Sequence, residues 1–325
     1  MKKQIAIIMA AIVAVIPLSG CRNSAVSSTA PAQNDNRLSI VTTIFPQYDF
    51  AREIVGANAN VTMLLPPGAE SHTYEPAPQD IIAIQNCDLF VYVGGEGDVW
   101  IDDILDSMGD KAPDTLKLMD CVTTVEEETV EGMESDHAHE DADNHVNEEI
   151  EYDEHVWTSP KNAIKIVRSM TDVISKLDSP NAETYRKNAD AYVDKLTALD
   201  NDFDKVVKTA KRSTIIVGDR FPFRYLADEF GLNYYAAFTG CSSETEASAA
   251  TVAFLTDKIK AESIPAVLYI EFSNHKIADS IAEASGAKTL LLHSCHNVSQ
   301  EEMKSGVSYL SLMKNNLETI QQALN

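Results

Sequence analysis

Residues 179–210 read SPNAETYRKNADAYVDKLTALDNDFDKVVKTA, and this stretch decides how the rest of the chain can be arranged. Ser179-Pro180 is a helix start signal, a hydroxyl cap followed by proline in the first turn. Tyr185, Ala189, Tyr192, Leu196, Leu199, Phe203, Val206 and Ala210 then follow in alternating steps of four and three, so all share one helical face. Neither glycine nor proline interrupts after Pro180 until Gly218. At 1.5 Å per residue the spacing predicts a rod on the order of 45 Å long. Such a rod can span two lobes while permitting only a small closure between them.

On the N-terminal side of the rod, β-rich runs at 38–44, 61–65 and 89–93 alternate with helical segments at 47–55 and 78–85, punctuated by Gly56 and Pro66-Pro67-Gly68. On its C-terminal side, strands at 214–217, 233–237, 266–270 and 290–292 alternate with helices at 222–230, 251–262 and 276–284, and a last helix starts at Tyr309. This alternation predicts an α/β fold of two similar lobes, each a parallel-type sheet flanked by helices, joined by one long rigid helix. The expected boundaries are 38–178 for the first lobe, 179–212 for the linking helix and 213–325 for the second lobe. Ligand-bearing loops of such sheets lie at the carboxyl ends of the strands.

The N-terminus predicts export. Lys2 and Lys3 precede an uncharged apolar run at 5–16, and Leu18-Ser19-Gly20-Cys21 ends in small residues and a cysteine. That is the layout of a secretory signal, expected at 1–20, with cleavage before a lipid-bearing Cys21. Residues 22–37 are rich in Ser, Ala, Asn and Pro, so 21–37 reads as a flexible tether. The formal charge of −24 argues against nucleic acid or an anionic lipid surface as partner. Fourteen of the acidic side chains lie between Glu126 and Glu154, where no basic residue occurs, so much of the acidity belongs to a loop at 122–152. That loop also carries His137, His139 and His145. It reads either as a solvated insert whose charge keeps it off the body, or as a weak collector of metal ions.

Three segments place metal-capable side chains in loops at strand ends or before a helix: Gly68-Ala69-Glu70-Ser71-His72-Thr73-Tyr74-Glu75-Pro76, Asp153-Glu154-His155-Val156-Trp157-Thr158-Ser159-Pro160, and Leu292-His293-Ser294-Cys295-His296. Spacing alone does not show that they converge. The His72 motif, the Asp153-x-His155-x-Trp157-x-Ser159-Pro160 motif, the long helix, the 240–248 stretch and Tyr309-Leu310-x-Leu312-Met313-x-x-Asn316 together resemble the zinc and manganese solute-binding lipoproteins of bacterial ABC importers, the ZnuA-like members of cluster A-I. The resemblance runs from about Leu38 to the C-terminus. It implies four metal ligands, two from each lobe, of which His72 and His155 match the first two. The third is a histidine in the family, but 217–225 reads VGDRFPFRY, and the alignment puts Asp219 there. The fourth is acidic in the family, and His293 takes its place; Glu271 and His296 are reserves. Imidazoles with one carboxylate suit Zn2+ better than Mn2+, and unprotonated histidines imply affinity that falls below about pH 6 to 6.5. The resemblance also implies delivery to a membrane permease and an extracytoplasmic, lipid-anchored location. The chain is expected to act as a monomer.

Cys87, Cys121, Cys241 and Cys295 form an even set, and in an exported chain this predicts disulfides, preferably Cys87–Cys121 and Cys241–Cys295. A cysteine ligand is the alternative for the last two, which lie beside the candidate site. Phe221, Phe223, Tyr225 and Trp157 are candidates to wall that site or to fill the core. A secreted zinc hydrolase is the rival function, but no H-E-x-x-H or G-x-S-x-G motif occurs.

Overall fold

The computed structural model describes residues 37–70, 74–134, 151–242 and 246–325. His72, His137, His139, His145 and Cys21 lie outside the described residues, as do the expected leader at 1–20 and nearly all of the tether.

The first sheet holds β1 (Leu38–Thr42), β2 (Ala59–Met63), β3 (Leu89–Tyr92) and β4 (Asp114–Lys117), all parallel, in the order β2-β1-β3-β4. Its connections carry α1 (Phe45–Val55), α2 (Pro78–Asn86) and α3 (Val99–Met108). The central strand β3 reads LFVY and is buried throughout, because helices or loops cover both faces of a parallel sheet. Gln47, fully buried, turns the chain from β1 into α1: its Oε1 accepts the backbone N–H groups of Thr43 and Ile44 at 3.0 and 3.1 Å. The chain then enters α4 (Pro160–Leu177) and α5 (Ala182–Thr209). The second sheet follows with β5 (Thr214–Arg220), β6 (Asn233–Phe238), β7 (Ala266–Tyr269) and β8 (Lys288–Leu291), in the order β6-β5-β7-β8. Around it lie α6 (Arg224–Phe230), α7 (Ala249–Glu262), α8 (Lys276–Ser285), α9 (Gln300–Ser305) and α10 (Tyr309–Ala323). The two sheets repeat one strand permutation, as expected for similar lobes. Where α8 crosses β5, a Cβ on Gly218 would lie 2.7 Å from the backbone of Ala278, so only glycine allows this approach.

The 28 residues of α5 bury Tyr185, Ala189, Tyr192, Leu196, Leu199 and Phe203, while Val206 and Ala210 are half-buried at its end. Its start differs from expectation. Ser179 begins a short 3-10 turn rather than capping the helix, and the Asp178 carboxylate instead accepts from Asn181 Nδ2 and Tyr185 Oη. One hydrophobic cluster runs from Ile40 of β1 through Phe50, Tyr192 and Tyr309 to Val217 and Leu268 of the second sheet. The rod therefore seals a core shared by both sheets, with the Phe50 ring edge-on to Tyr309 at 4.8 Å, while a smaller cluster lies on the outer face of each sheet.

The expected disulfides are not formed; all four cysteines are free. Cys87 packs with Ile84, Phe90 and Ile101 on one face of the first sheet, whereas Cys121 packs on the core at the other face. Cys295 is buried in the core and Cys241 turns toward His155, so these two face different surroundings. No helix among the described residues is long and apolar enough to cross a membrane.

Candidate metal centre

The carboxyl ends of both sheets meet at one cleft lined by Ala69, Glu70, His155, Arg220, Gly240, Glu271, Ser294 and His296 among others. Each comes from a strand-end loop or the segment before α4, the position where parallel α/β sheets carry their ligands.

His155 is fully buried at the entry to α4, whose N-cap Ser159 accepts from Asn162 N at 3.1 Å. Asp153 Oδ1 accepts the His155 backbone N–H at 2.8 Å and faces Nδ1 at 3.2 Å. A carboxylate only accepts, so this contact places the ring proton on Nδ1 and the lone pair on Nε2. Burial pulls the imidazole toward its neutral form, but the charge and hydrogen bond of Asp153, with Glu154 and Glu127, outweigh it and raise its pKa. Glu154 is buried beside it and accepts the Gly97 N–H at 3.0 Å; burial pushes its carboxyl up to about 7.

His296 comes from the loop after β8. Its ring stands nearly perpendicular to that of His155, with centroids 5.6 Å apart, and Trp157 lies 5.4 and 5.0 Å from the two rings. Trp157 Nε1 donates to Ser294 O at 2.8 Å, and Glu271 accepts the Ser294 N–H at 2.7 Å, so residues on either side of the cleft fix this loop. Cys295 takes a left-handed conformation, φ 62°, and this turn separates the directions of His293 and His296.

His293 and Asp219 do not enter the cleft. His293 Nδ1 accepts the Cys295 N–H at 2.9 Å, which leaves the ring proton on Nε2, 4.0 Å from Glu302 Oε1. Asp219 Oδ1 accepts the Arg220 N–H at 2.9 Å, while its Oδ2 is buried without a hydrogen-bond partner among the described residues. Glu271 lines the cleft but is committed to Ser294. The structure thus brings together His155, His296 and Glu271 of the candidates, and His72 follows Glu70 outside the described residues. Of the aromatic candidates, Trp157 touches the site rings. Phe221 stacks on Tyr234 with centroids 3.7 Å apart, and Tyr225 Oη donates to Asp153 O at 2.7 Å.

The described flanks of the acidic loop are not held off the body by their charge. Glu127 accepts the Gly240 N–H at 3.0 Å, Glu134 accepts Ser248 N–H and Thr251 Oγ1 at 2.6 and 2.7 Å, and Arg224 lies 3.5 Å from Glu128. Opposite charge and exposed amides on the second half capture these carboxylates. Glu127, Glu154 and Arg220 were not among the sequence candidates; the adjacency of Glu154 to His155 was the one signal available.

Donor atoms of Glu154, His155 and Cys241 lie within 4.8 Å of one another. Bonds of 2.0–2.3 Å in a tetrahedral zinc site set ligand atoms about 3.3–3.8 Å apart, so a contraction of about 1 Å would fit the donors to an ion. Nitrogen, sulfur and carboxylate donors are all ones that zinc accepts.

Comparison with known proteins gives the family. The chain is 33% identical over 323 residues to the zinc-binding lipoprotein AdcA of Streptococcus pneumoniae, a match covering 98% of this chain and 61% of that protein. It therefore spans about three fifths of that relative. It is 34% identical over 307 residues to the high-affinity zinc uptake system protein ZnuA of Bacillus subtilis, covering 94% of this chain and 93% of that one. The crystal structure of the Zn(II)-bound ZnuA-like domain of S. pneumoniae AdcA superposes with a TM-score of 0.72 at 32% identity, covering 89% of this chain and 99% of that domain. Residues 40–323 match the family model described as zinc-uptake complex component A, periplasmic, and the chain belongs to that ZnuA family.

Proposed function

We propose that this chain is an extracytoplasmic solute-binding protein that captures one zinc ion between its two sheets and delivers it to the permease of an ABC-type importer, without catalysing a reaction. Lipid on Cys21 holds it to the membrane. The observation that carries the reading is the meeting of His155 and His296, from opposite halves, with the Trp157 ring beside both. His72, two positions after Glu70 in the sequence, is the further imidazole of the set. Nitrogen donors favour zinc over manganese, which prefers oxygen.

The test is metal content and competition against a chelator on purified protein. One zinc per chain, lost in His155→Ala, is expected. Preference for manganese would replace the ion, and zinc-dependent turnover of a peptide or ester would favour a hydrolase.

A further inference from the structure

We infer that Cys241 coordinates the captured ion through its thiolate, giving this chain a mixed imidazole and thiolate site. The inference rests on zinc capture in this cleft and names the donor that the second half contributes alongside His296.

Among the described residues, Glu154, His155 and Cys241 form the one group of three or more ligand-type side chains whose donor atoms lie within 4.8 Å of one another. The position of Cys241 is imposed by backbone. The Glu127 carboxylate accepts the Gly240 N–H at 3.0 Å and that of Cys241 as well. Gly240 in turn is pressed onto the imidazole: a Cβ there would stand 3.2 Å from His155 Cε1, 3.2 Å from Asp153 Oδ2 and 3.1 Å from Phe221 O. A glycine without a side chain brings the turn this close, and the next residue carries the sulfur. Thiol and imidazole are thus presented together by an anchored turn and an anchored helix entry.

The other candidates of the second half stand outside this group: Asp219 Oδ1 accepts the Arg220 N–H and His293 Nδ1 accepts the Cys295 N–H, each on its own loop. Within the group of three, Glu154 already holds the Gly97 N–H, and its carboxylate fills the space over Gly95, where a Cβ would meet Glu154 Oε2 at 2.2 Å. Cys241 is the donor left to turn toward the ion.

Charge points the same way. Glu127, Asp153 and Glu154 all face Cys241. With Glu96 a fourth carboxylate acts on it, so a bare thiolate is repelled, and a divalent cation bound by it removes that repulsion. In the step itself the S–H bond breaks as the sulfur–zinc bond forms, the proton leaves to solvent, and no electron is transferred. Thiolate with imidazole also discriminates by softness, favouring zinc over manganese more strongly than the His-carboxylate set expected from the sequence.

The experiment replaces zinc with Co2+ in the purified full chain and reads the near-ultraviolet sulfur-to-cobalt charge-transfer band. The band is expected in the wild type and in Cys295→Ser and absent in Cys241→Ser and Cys241→Ala. Zinc should protect Cys241 from alkylation, mapped by mass spectrometry on the wild-type protein, which needs no variant to fold. Zinc affinity of Cys241→Ser should fall by more than the about 10–100-fold typical of losing an outer partner. One tightly bound cobalt without the band, and Cys241 alkylated equally with and without zinc, would overturn the thiolate while leaving zinc capture intact. A wild type that takes up neither ion would overturn both.

Discussion

Glu70 and Arg220 form a two-point ion pair across the cleft mouth, Nη1 to Oε1 at 3.3 Å and Nη2 to Oε2 at 3.2 Å. One follows β2 and the other ends β5, so the pair fastens the root of the His72 segment to the second half. Side-chain exposure of 37% and 16% leaves it open to solvent screening. Its contribution to stability is therefore at most about 1 kcal/mol. Arg220→Met should lower the melting temperature by no more than about 2–4 °C while speeding zinc release several-fold, read by stopped-flow transfer to a chelator. High salt should speed release from the wild type but not from the variant. Equal release rates in both would show that the pair does not gate the ion.

His296→Ala should weaken zinc binding by more than about 100-fold, whereas His293→Ala should leave it within a few-fold. Because Trp157 touches both site imidazoles, zinc should change its fluorescence, and Trp100→Phe should retain that change while Trp157→Phe loses it. If His293→Ala proves the damaging variant, the loop turns the other way when loaded.

Acid should strengthen the metal-free fold. Burial pushes Asp49 and Asp98 up to about 6, against the backbone hydrogen bonds they accept from Tyr309 and from Val93 and Gly94. In the unfolded chain both carboxyls titrate near 4. Between about pH 4 and 6 the folded chain thus holds protons that the unfolded chain has lost, so stability falls as pH rises through that window. Relief of self-repulsion in a chain of formal charge −24 acts in the same direction. The metal-free protein should melt higher at pH 5 than at pH 7, while zinc affinity moves the opposite way because its ligands must be unprotonated. A metal-free melting temperature that is flat or rises over that range would contradict the assignment.

Removal of residues 135–150 should leave the tight site within a few-fold of wild type and abolish any weak additional zinc binding, measured by calorimetry. A longer deletion from Glu126 to Glu149 should damage the tight site, because it also removes Glu127 and Glu134 from the second half. Equal outcomes for the two deletions would show that the docked flank plays no part.

The sequence announced the rod, seven of the eight strands found among the described residues and the two parallel-sheet lobes because hydrophobic period carries that information. It missed β4, whose DTLK offers only Leu116 to an apolar pattern. His155 and Trp157 were legible in a compact motif that runs directly into a capped helix. The choice of His296 over His293 was not, since it turns on the positive φ of Cys295 in a loop with no period. Cys241 was visible only as an alternative to a disulfide: its placement depends on a glutamate more than a hundred positions earlier and on the absence of a side chain at Gly240.

The core that α5 seals between the two sheets also bears on how the chain acquires its shape. Tyr192 and Phe203 lie in the same cluster as Ile40 of one sheet and Leu268 of the other, so each half closes a smaller cluster on its outer face but completes its inner face only with the rod and the other half. Fragments cut at either end of the rod would each expose a greasy face and clump rather than persist as half-proteins. That inner cluster is complete only once Ile320 and Leu324, from the last helix and the residue that follows it, have packed against it.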